Sequence, residues 1–153
     1  MQNKKNSLFE VIKEDLIRHE GYIREIYLDS EGYETFGVGH LVTELDMEHS
    51  WPIGSPITDE RILAVFDEDF LDALEDAESL VDGLYNHPDS VIRVLVNMAF
   101  NLGRTRLRGF KKMLAAVEAK DYKTAADEME DSKWYRQVKR RGVELVNIMR
   151  YET

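Results

Sequence analysis

The run Val91-Ile-Arg-Val-Leu-Val-Asn-Met-Ala-Phe100 constrains this chain more than any other feature, because it is apolar on nearly every side of a helix and only Arg93 and Asn97 interrupt it. A helix of that kind is the buried axis of a helical lobe, since it has no face to offer water. The following sequence supplies the surround. Helical stripes recur over 110–119, over 122–129 behind the cap candidate Asp121, around Trp134 and Tyr135 behind Ser132, and over 143–149. Gly103 predicts the end of the axial helix.

Upstream of that lobe the pattern changes. From Thr58, a capping residue followed by Asp59 and Glu60, a stripe of Ile62, Leu63, Val65, Phe66, Phe70, Ala73, Leu74, Ala77, Leu80 and Val81 runs to Gly83. At ~1.5 Å per residue it predicts a helix on the order of 35 Å long, enough to join two lobes. Ser7-Leu-Phe-Glu10 reads as a capping box, so a first helix is expected over 7–20, carrying Leu8, Val11, Ile12, Leu16 and Ile17 and stopped by Gly21. Residues 22–41 are rich in Tyr, Ile, Thr, Phe and Val and are punctuated by Asp29-Ser-Glu-Gly32, Gly37 and Gly39. They predict short antiparallel strands with tight turns. Residues 44–57 hold Pro52, Gly54 and Pro56 and read as a loop with room for one short strand. The expectation is an α+β fold in one domain of 153 residues. It has a small antiparallel β lobe (about 8–57), a linking helix (58–82) and a helical lobe (83–153).

Charge narrows the partners. Lys and Arg total 20 against 30 Asp and Glu, a net charge of −10, the wrong sign for releasing counterions from phosphates, so no nucleic acid is expected. Ten of the acids lie between Asp59 and Asp82, opposed by Arg61 alone, whereas 104–112 and 133–141 each carry five bases and no acid. No stretch approaches the roughly 20 apolar residues of a membrane span. The opening residues lack a secretory h-region, so no signal peptide is expected. With no Cys, disulfides, thiolate zinc sites and cysteine nucleophiles are excluded. His19, His49 and His87 lack zinc spacing and read as surface or cap residues, Asp67-Glu-Asp69 lacks a calcium-loop glycine, and Gly37-x-Gly39 opens no helix. No metal or cofactor is expected.

Three residues remain that could carry chemistry. Glu20 ends a helix, where the carbonyl end of the macrodipole disfavours an anion and favours the protonated form a general acid needs. Asp29 sits in a turn and Thr35 in a strand. Taken singly, each has a plain structural reading: an exposed helix end, an Asx-turn, a β-branched strand former. Taken together, a helix-end Glu, a turn Asp and a strand Thr folded onto one another by a hairpin can converge on one site. Two carboxyls flanking a glycosidic bond are the equipment for its hydrolysis.

The spacing His19-Glu20-Gly21-(x7)-Asp29-Ser-Glu-Gly-Tyr-Glu-Thr35-Phe-Gly-Val-Gly-His40 resembles the catalytic signature of the phage-type, T4 lysozyme-like muramidases of glycoside hydrolase family 24. A second block, Asn97-Met-Ala-Phe-Asn-Leu-Gly103, then Gly109-Phe110 and Ser132-Lys-Trp-Tyr135, resembles the family's helical lobe in the same order. The resemblance implies Glu20 as proton donor, Asp29 as the carboxylate that positions or activates water, and Thr35 as a hydroxyl orienting that water. It implies inversion at the anomeric carbon, which calls for carboxyls roughly 6.5 to 9.5 Å apart. It also implies Arg141 as a basic partner near Glu20, His40 and Asp69 as a supporting ion pair, and Leu41 and Phe100 as the lining of a sugar cleft between the lobes. Met113 and Glu128 stand where the family shows small polar or amide side chains facing the sugars, and the segment after His40 is shorter than the family's.

The function expected is hydrolysis of the β-1,4 bond between N-acetylmuramic acid and N-acetylglucosamine in bacterial peptidoglycan, by a monomer without cofactor. Without a signal peptide, the enzyme would wait in the host cytoplasm for holin-dependent release, or travel with a virion. The alternative of another class is a wall-binding or virion structural module that keeps the fold without turnover.

Overall fold

In the computed structural model, which describes residues 2–153 and side chains from Lys5 onward, the chain runs α1 (Gln2–Glu20), β1 (Ile23–Leu28), β2 (Glu34–Gly37), β3 (His40–Leu41), α2 (Asp59–Leu80), a 3-10 turn (Leu84–Asn86), α3 (Asp89–Arg108), α4 (Lys111–Glu118), α5 (Tyr122–Glu130), α6 (Lys133–Val138) and α7 (Arg140–Tyr151). This is the expected α+β, lysozyme-like composition: mostly helical, with one three-stranded antiparallel sheet ordered β1-β2-β3. Two compact units share the chain. One is Lys13–Leu71 and the other joins the residues up to Ile12 to Asp72–Thr153, so the chain crosses between them inside α1 and inside α2.

In the Lys13–Leu71 unit, β1 and β2 pair with Tyr27 opposite Thr35 and Leu28 opposite Glu34, and β2 and β3 pair with Thr35 opposite Leu41 and Phe36 opposite His40. Between Ile23 and Tyr27 the β1–β2 register slips. The free edge of β1 bonds instead to the loop: Gly54 N–H donates to Ile26 O at 2.7 Å, Ile26 N–H to Ser55 O at 3.0 Å and Ile57 N–H to Arg24 O at 2.9 Å. The short strand that the loop had room for is thus a single bridge, Glu25 to Pro56, because Pro56 has no N–H with which to extend a ladder. Leu16, Ile26, Phe36, Val38, Ile62, Val65 and Phe66 are the buried core of this unit.

In the other unit α3 is the axis its composition requires. Every residue from Val91 to Ala99 except Arg93 is buried, each large side chain contributing about 1.5 to 3 kcal/mol of burial. Helix α7 packs on α3, α5 and α6, and α5 on α4. The caps are where the sequence puts them: Asp121 accepts from Thr124 N–H, and Ser132 from Tyr135 N–H.

Four local expectations are corrected. Helix α1 begins at Gln2, not at Ser7; Gln and Lys are good helix formers and no Gly or Pro precedes Ser7 to stop the helix. Gly103 does break the axial helix, with φ 77° and ψ 166°, but a second helical stretch follows it directly to Arg108, where the expectation was no helix before residue 110. Val11 and Leu63 face solvent despite lying in their stripes, because each falls at the edge of the apolar arc. Helix α2 stops at Leu80, short of Gly83.

Candidate active site

The Asp29 turn is built by its own side chain. Asp29 Oδ1 accepts from Glu31 N–H at 2.9 Å and from Tyr33 N–H at 2.8 Å, the Asx-turn geometry. The Tyr33 main chain does more: its carbonyl accepts from Asp29 N–H at 2.9 Å and from Thr35 Oγ1–H at 2.9 Å. One peptide segment therefore orients the Asp29 carboxylate and the Thr35 hydroxyl at once. Asp29 Oδ2 stays clear of that lattice. Thr35 is 2% exposed, and because its proton goes to Tyr33 O, its lone pairs are what it offers a ligand.

Directly opposite Thr35 on β1 is Tyr27, and opposite it on β3 is Leu41, so the three side chains share one face of the sheet. Burial first, and then the charges of Glu20 and Asp29, hold the Tyr27 phenol above its ordinary pKa, so it stays a neutral O–H. Both carboxyls thus act electrostatically on the one phenol. Glu20, the last residue of α1, is seated against Gly39. A Cβ at Gly39 would lie 2.7 Å from Glu20 Oε1 and 3.1 Å from Glu20 Cβ, and Gly39 has φ +62°, a left-handed backbone that side chains disfavour.

His40, the next residue, is held by two carboxylates. Its Nδ1 lies 2.7 Å from Asp69 Oδ2 and its Nε2 2.8 Å from Asp46 Oδ2, and only an imidazolium can donate from both nitrogens. Burial alone would lower the His40 pKa, but the hydrogen bonds and charges of Asp69 and Asp46 raise it. Burial would likewise raise Asp46, yet the Thr43 N–H and His40 hold it below the usual carboxylate range. Arg61 extends the network, 3.6 Å from Asp46 and forked onto the buried Glu48 through Nε at 2.8 Å and Nη2 at 2.9 Å. The loop after β3 is therefore tied to α2 by charged contacts.

The remaining predicted site residues lie in the other unit. Arg141 is buried on α7, and its Nε donates to Asn97 Oδ1 at 2.9 Å, which explains the polar residue in the axial helix. Phe100 is half-buried on α3. Met113 and Glu128 line one cavity of about 640 Å³ with Phe110 and Trp134. The Trp134 indole donates to Asn101 Oδ1 at 2.8 Å, and its ring meets Phe110 edge to face at 6.2 Å.

Sequence reasoning missed Tyr33, whose contribution is main-chain and carries no residue signature. It also missed Asp46, although an Asp three residues after Thr43 is placed to close a turn, and its carboxylate accepts from Thr43 N–H at 2.8 Å. Among the described residues no group of His, Asp or Glu is placed to hold a metal ion, and no helix is long and apolar enough to cross a membrane.

The chain has relatives. The phage lysozyme family model matches residues 17–150. A protein named probable T4-type lysozyme 1, from Dictyostelium discoideum, is 31% identical over 157 residues, covering 90% of this chain and 92% of that protein. The pre-baseplate central spike protein Gp5 of Enterobacteria phage T4 is 32% identical over 154 residues, covering 89% of this chain and 27% of the spike protein. Peptidoglycan hydrolase gp36 of Pseudomonas phage phiKMV is 28% identical over 137 residues, covering 90% of this chain and 15% of its own length.

Proposed function

The chain belongs to the phage lysozyme family, and from that premise we propose that it is a muramidase, cleaving the β-1,4 bond between N-acetylmuramic acid and N-acetylglucosamine of peptidoglycan with inversion. Glu20 gives its proton to the leaving oxygen. On the other face of the sugar, Asp29 Oδ2 takes one proton from the attacking water as its oxygen bonds to the anomeric carbon, while Thr35 Oγ1 accepts a hydrogen bond from the proton that stays on that oxygen. The neutral Tyr27 phenol lies among these groups as a donor. Leu41, Phe100, Met113 and Glu128 are assigned to sugar contacts, Arg141 to the charge balance of Glu20, and the His40–Asp69 pair to support of the hairpin.

The observation that carries this reading is the Tyr33 segment, which orients a carboxylate and a hydroxyl together beside a phenol under the charge of both Glu20 and Asp29. A structural turn has no need of the Thr35 hydroxyl. The names of the relatives support a wall substrate; the enzyme acts as a monomer, released from the host cytoplasm or carried on a virion. Reducing-end analysis of purified peptidoglycan tests the proposal. New N-acetylmuramic acid reducing ends in the α configuration are expected, and loss of more than about 99% of product in Glu20→Gln, since a general acid contributes about 10²–10⁴-fold. Binding to the wall with no reducing ends from the wild-type protein overturns it.

A further inference from the structure

The face of the sheet that carries Asp29 and Thr35 also gathers three large side chains of apolar surface. Tyr27 on β1 and Leu41 on β3 stand opposite Thr35, one on each side. One step beyond β1 and β2 the ladder adds another pair, since Asp29 N–H donates to Tyr33 O at 2.9 Å. Alternation along the pleat then returns Asp29 to the side of Tyr27, and Tyr33 to the side of Thr35. Ile26 and Phe36, which alternate with these residues onto the other face, are fully buried in the core of the unit, so the Asp29 face looks away from that core. On it Tyr33 is 58% and Leu41 50% exposed. Neither the Tyr33 nor the Tyr27 phenol bonds to a partner among the described residues, whereas those of Tyr22, Tyr85 and Tyr122 are bonded to Asp59, Glu78 and His87. An exposed ring one strand across from a carboxylate suits a pyranose, whose C–H face lies on an aromatic plane while its polar groups stay in reach of donors.

We propose that the ring of Tyr33 is a substrate-binding residue, the aromatic plane on which a sugar of the glycan strand rests beside Asp29 and Thr35. The assignment deepens the muramidase reading and rests on it for the identity of the ligand. Tyr33 then acts twice. Its peptide holds the Asp29 carboxylate and the Thr35 hydroxyl, and its side chain, leaving the same Cα, holds the sugar, so ligand and water-handling groups are registered against each other through one residue. The two roles are separable. The bonds to Asp29 and Thr35 are made by the main chain and survive any change of side chain at this position, and a ring that stands in water contributes little burial to the fold.

The test compares Tyr33→Ala and Tyr33→Phe by the kinetics of reducing-end release from soluble, uncross-linked peptidoglycan. Alongside it, saturation-transfer NMR follows magnetisation from aromatic protons to a tetrasaccharide of alternating N-acetylglucosamine and N-acetylmuramic acid, bound to the non-turnover Glu20→Gln protein. Expected in Tyr33→Ala is a fall in kcat/KM of about five- to tenfold, the loss of one aromatic face, carried mostly by KM. Tyr33→Phe, which restores the ring, should keep KM close to the wild type, and both variants should keep its thermal midpoint. Transfer to the sugar C–H protons should be lost when Tyr33→Ala is added to Glu20→Gln. An unchanged KM in Tyr33→Ala, an equal rise in Tyr33→Phe, or transfer that survives in the alanine variant would overturn the assignment. Transfer that depends on Tyr33, in a protein whose wild type makes no reducing ends, would sink the muramidase and keep the sugar contact; reducing ends with a KM indifferent to Tyr33 would do the reverse.

Discussion

At the scale of single residues, the site depends on atoms a few tenths of an ångström from contact. Gly39→Ala puts a methyl 2.7 Å from Glu20 Oε1, so the carboxyl must move; wall lysis should fall about 10- to 100-fold, the scale on which an ångström of misplacement acts. The left-handed backbone at that position adds roughly 1–2 kcal/mol of destabilisation, seen as a lower thermal midpoint. Thr35→Val keeps shape and burial but removes the bond to Tyr33 O and the proposed acceptor for water; turnover is expected to drop with KM nearly unchanged, and a rise in KM alone would assign Thr35 to substrate binding instead. The turn role of Asp29 was legible from Asp-Ser-Glu-Gly, because Asx chemistry is local. The coupling of Asp29 to Thr35 was not, because it passes through the peptide of an exposed tyrosine.

At the scale of elements, the loop after β3 is held by the His40 clamp, and its contribution depends on pH in a direction the shifts decide. His40 is raised on folding, so its stabilisation is full below its unfolded pKa and is lost as pH rises through the folded value. Asp46 is lowered, so its share is full above its unfolded pKa and is lost as pH falls through the folded one. The clamp is therefore worth most between roughly pH 4 and 6.5. The difference in thermal midpoint between wild type and His40→Asn should be largest near about pH 5 and shrink toward about pH 9; a difference independent of pH would show that packing against Phe36, not charge, holds the loop. The kink of α3 makes a second test. Gly103 has a backbone that is essentially glycine-only, with open space where a Cβ would stand, so Gly103→Ala should cost about 1–3 kcal/mol in chemical denaturation without a steric contribution. The helix resumes past the kink because the residues after it, Arg104 to Leu107, favour helix.

At the scale of the whole molecule, the uneven charge governs the encounter with an anionic wall. A net charge of −10 repels it, and screening beyond about 8–10 Å at physiological ionic strength removes most of that repulsion. Lysis should rise between low and moderate salt; a steep fall over that range would show that local cations, not the net charge, control approach. Of the five bases of 104–112 and the five of 133–141, Arg106, Lys111, Lys112 and Lys133 are gathered round one cavity.

By itself the sequence determined the helices, their caps at Asp121 and Ser132, the buried axis and the turn at Asp29. Those signals arise from residues three or four apart, whose interaction is settled as soon as the backbone coils or turns. Only the tertiary structure decided which β1 residue faces Thr35, since the register slips between Ile23 and Tyr27. It alone joined Asn97 to Arg141 across 44 residues and Asn101 to Trp134 across 33. Such partners meet because whole elements pack, and packing is a property of summed burial that no short pattern encodes.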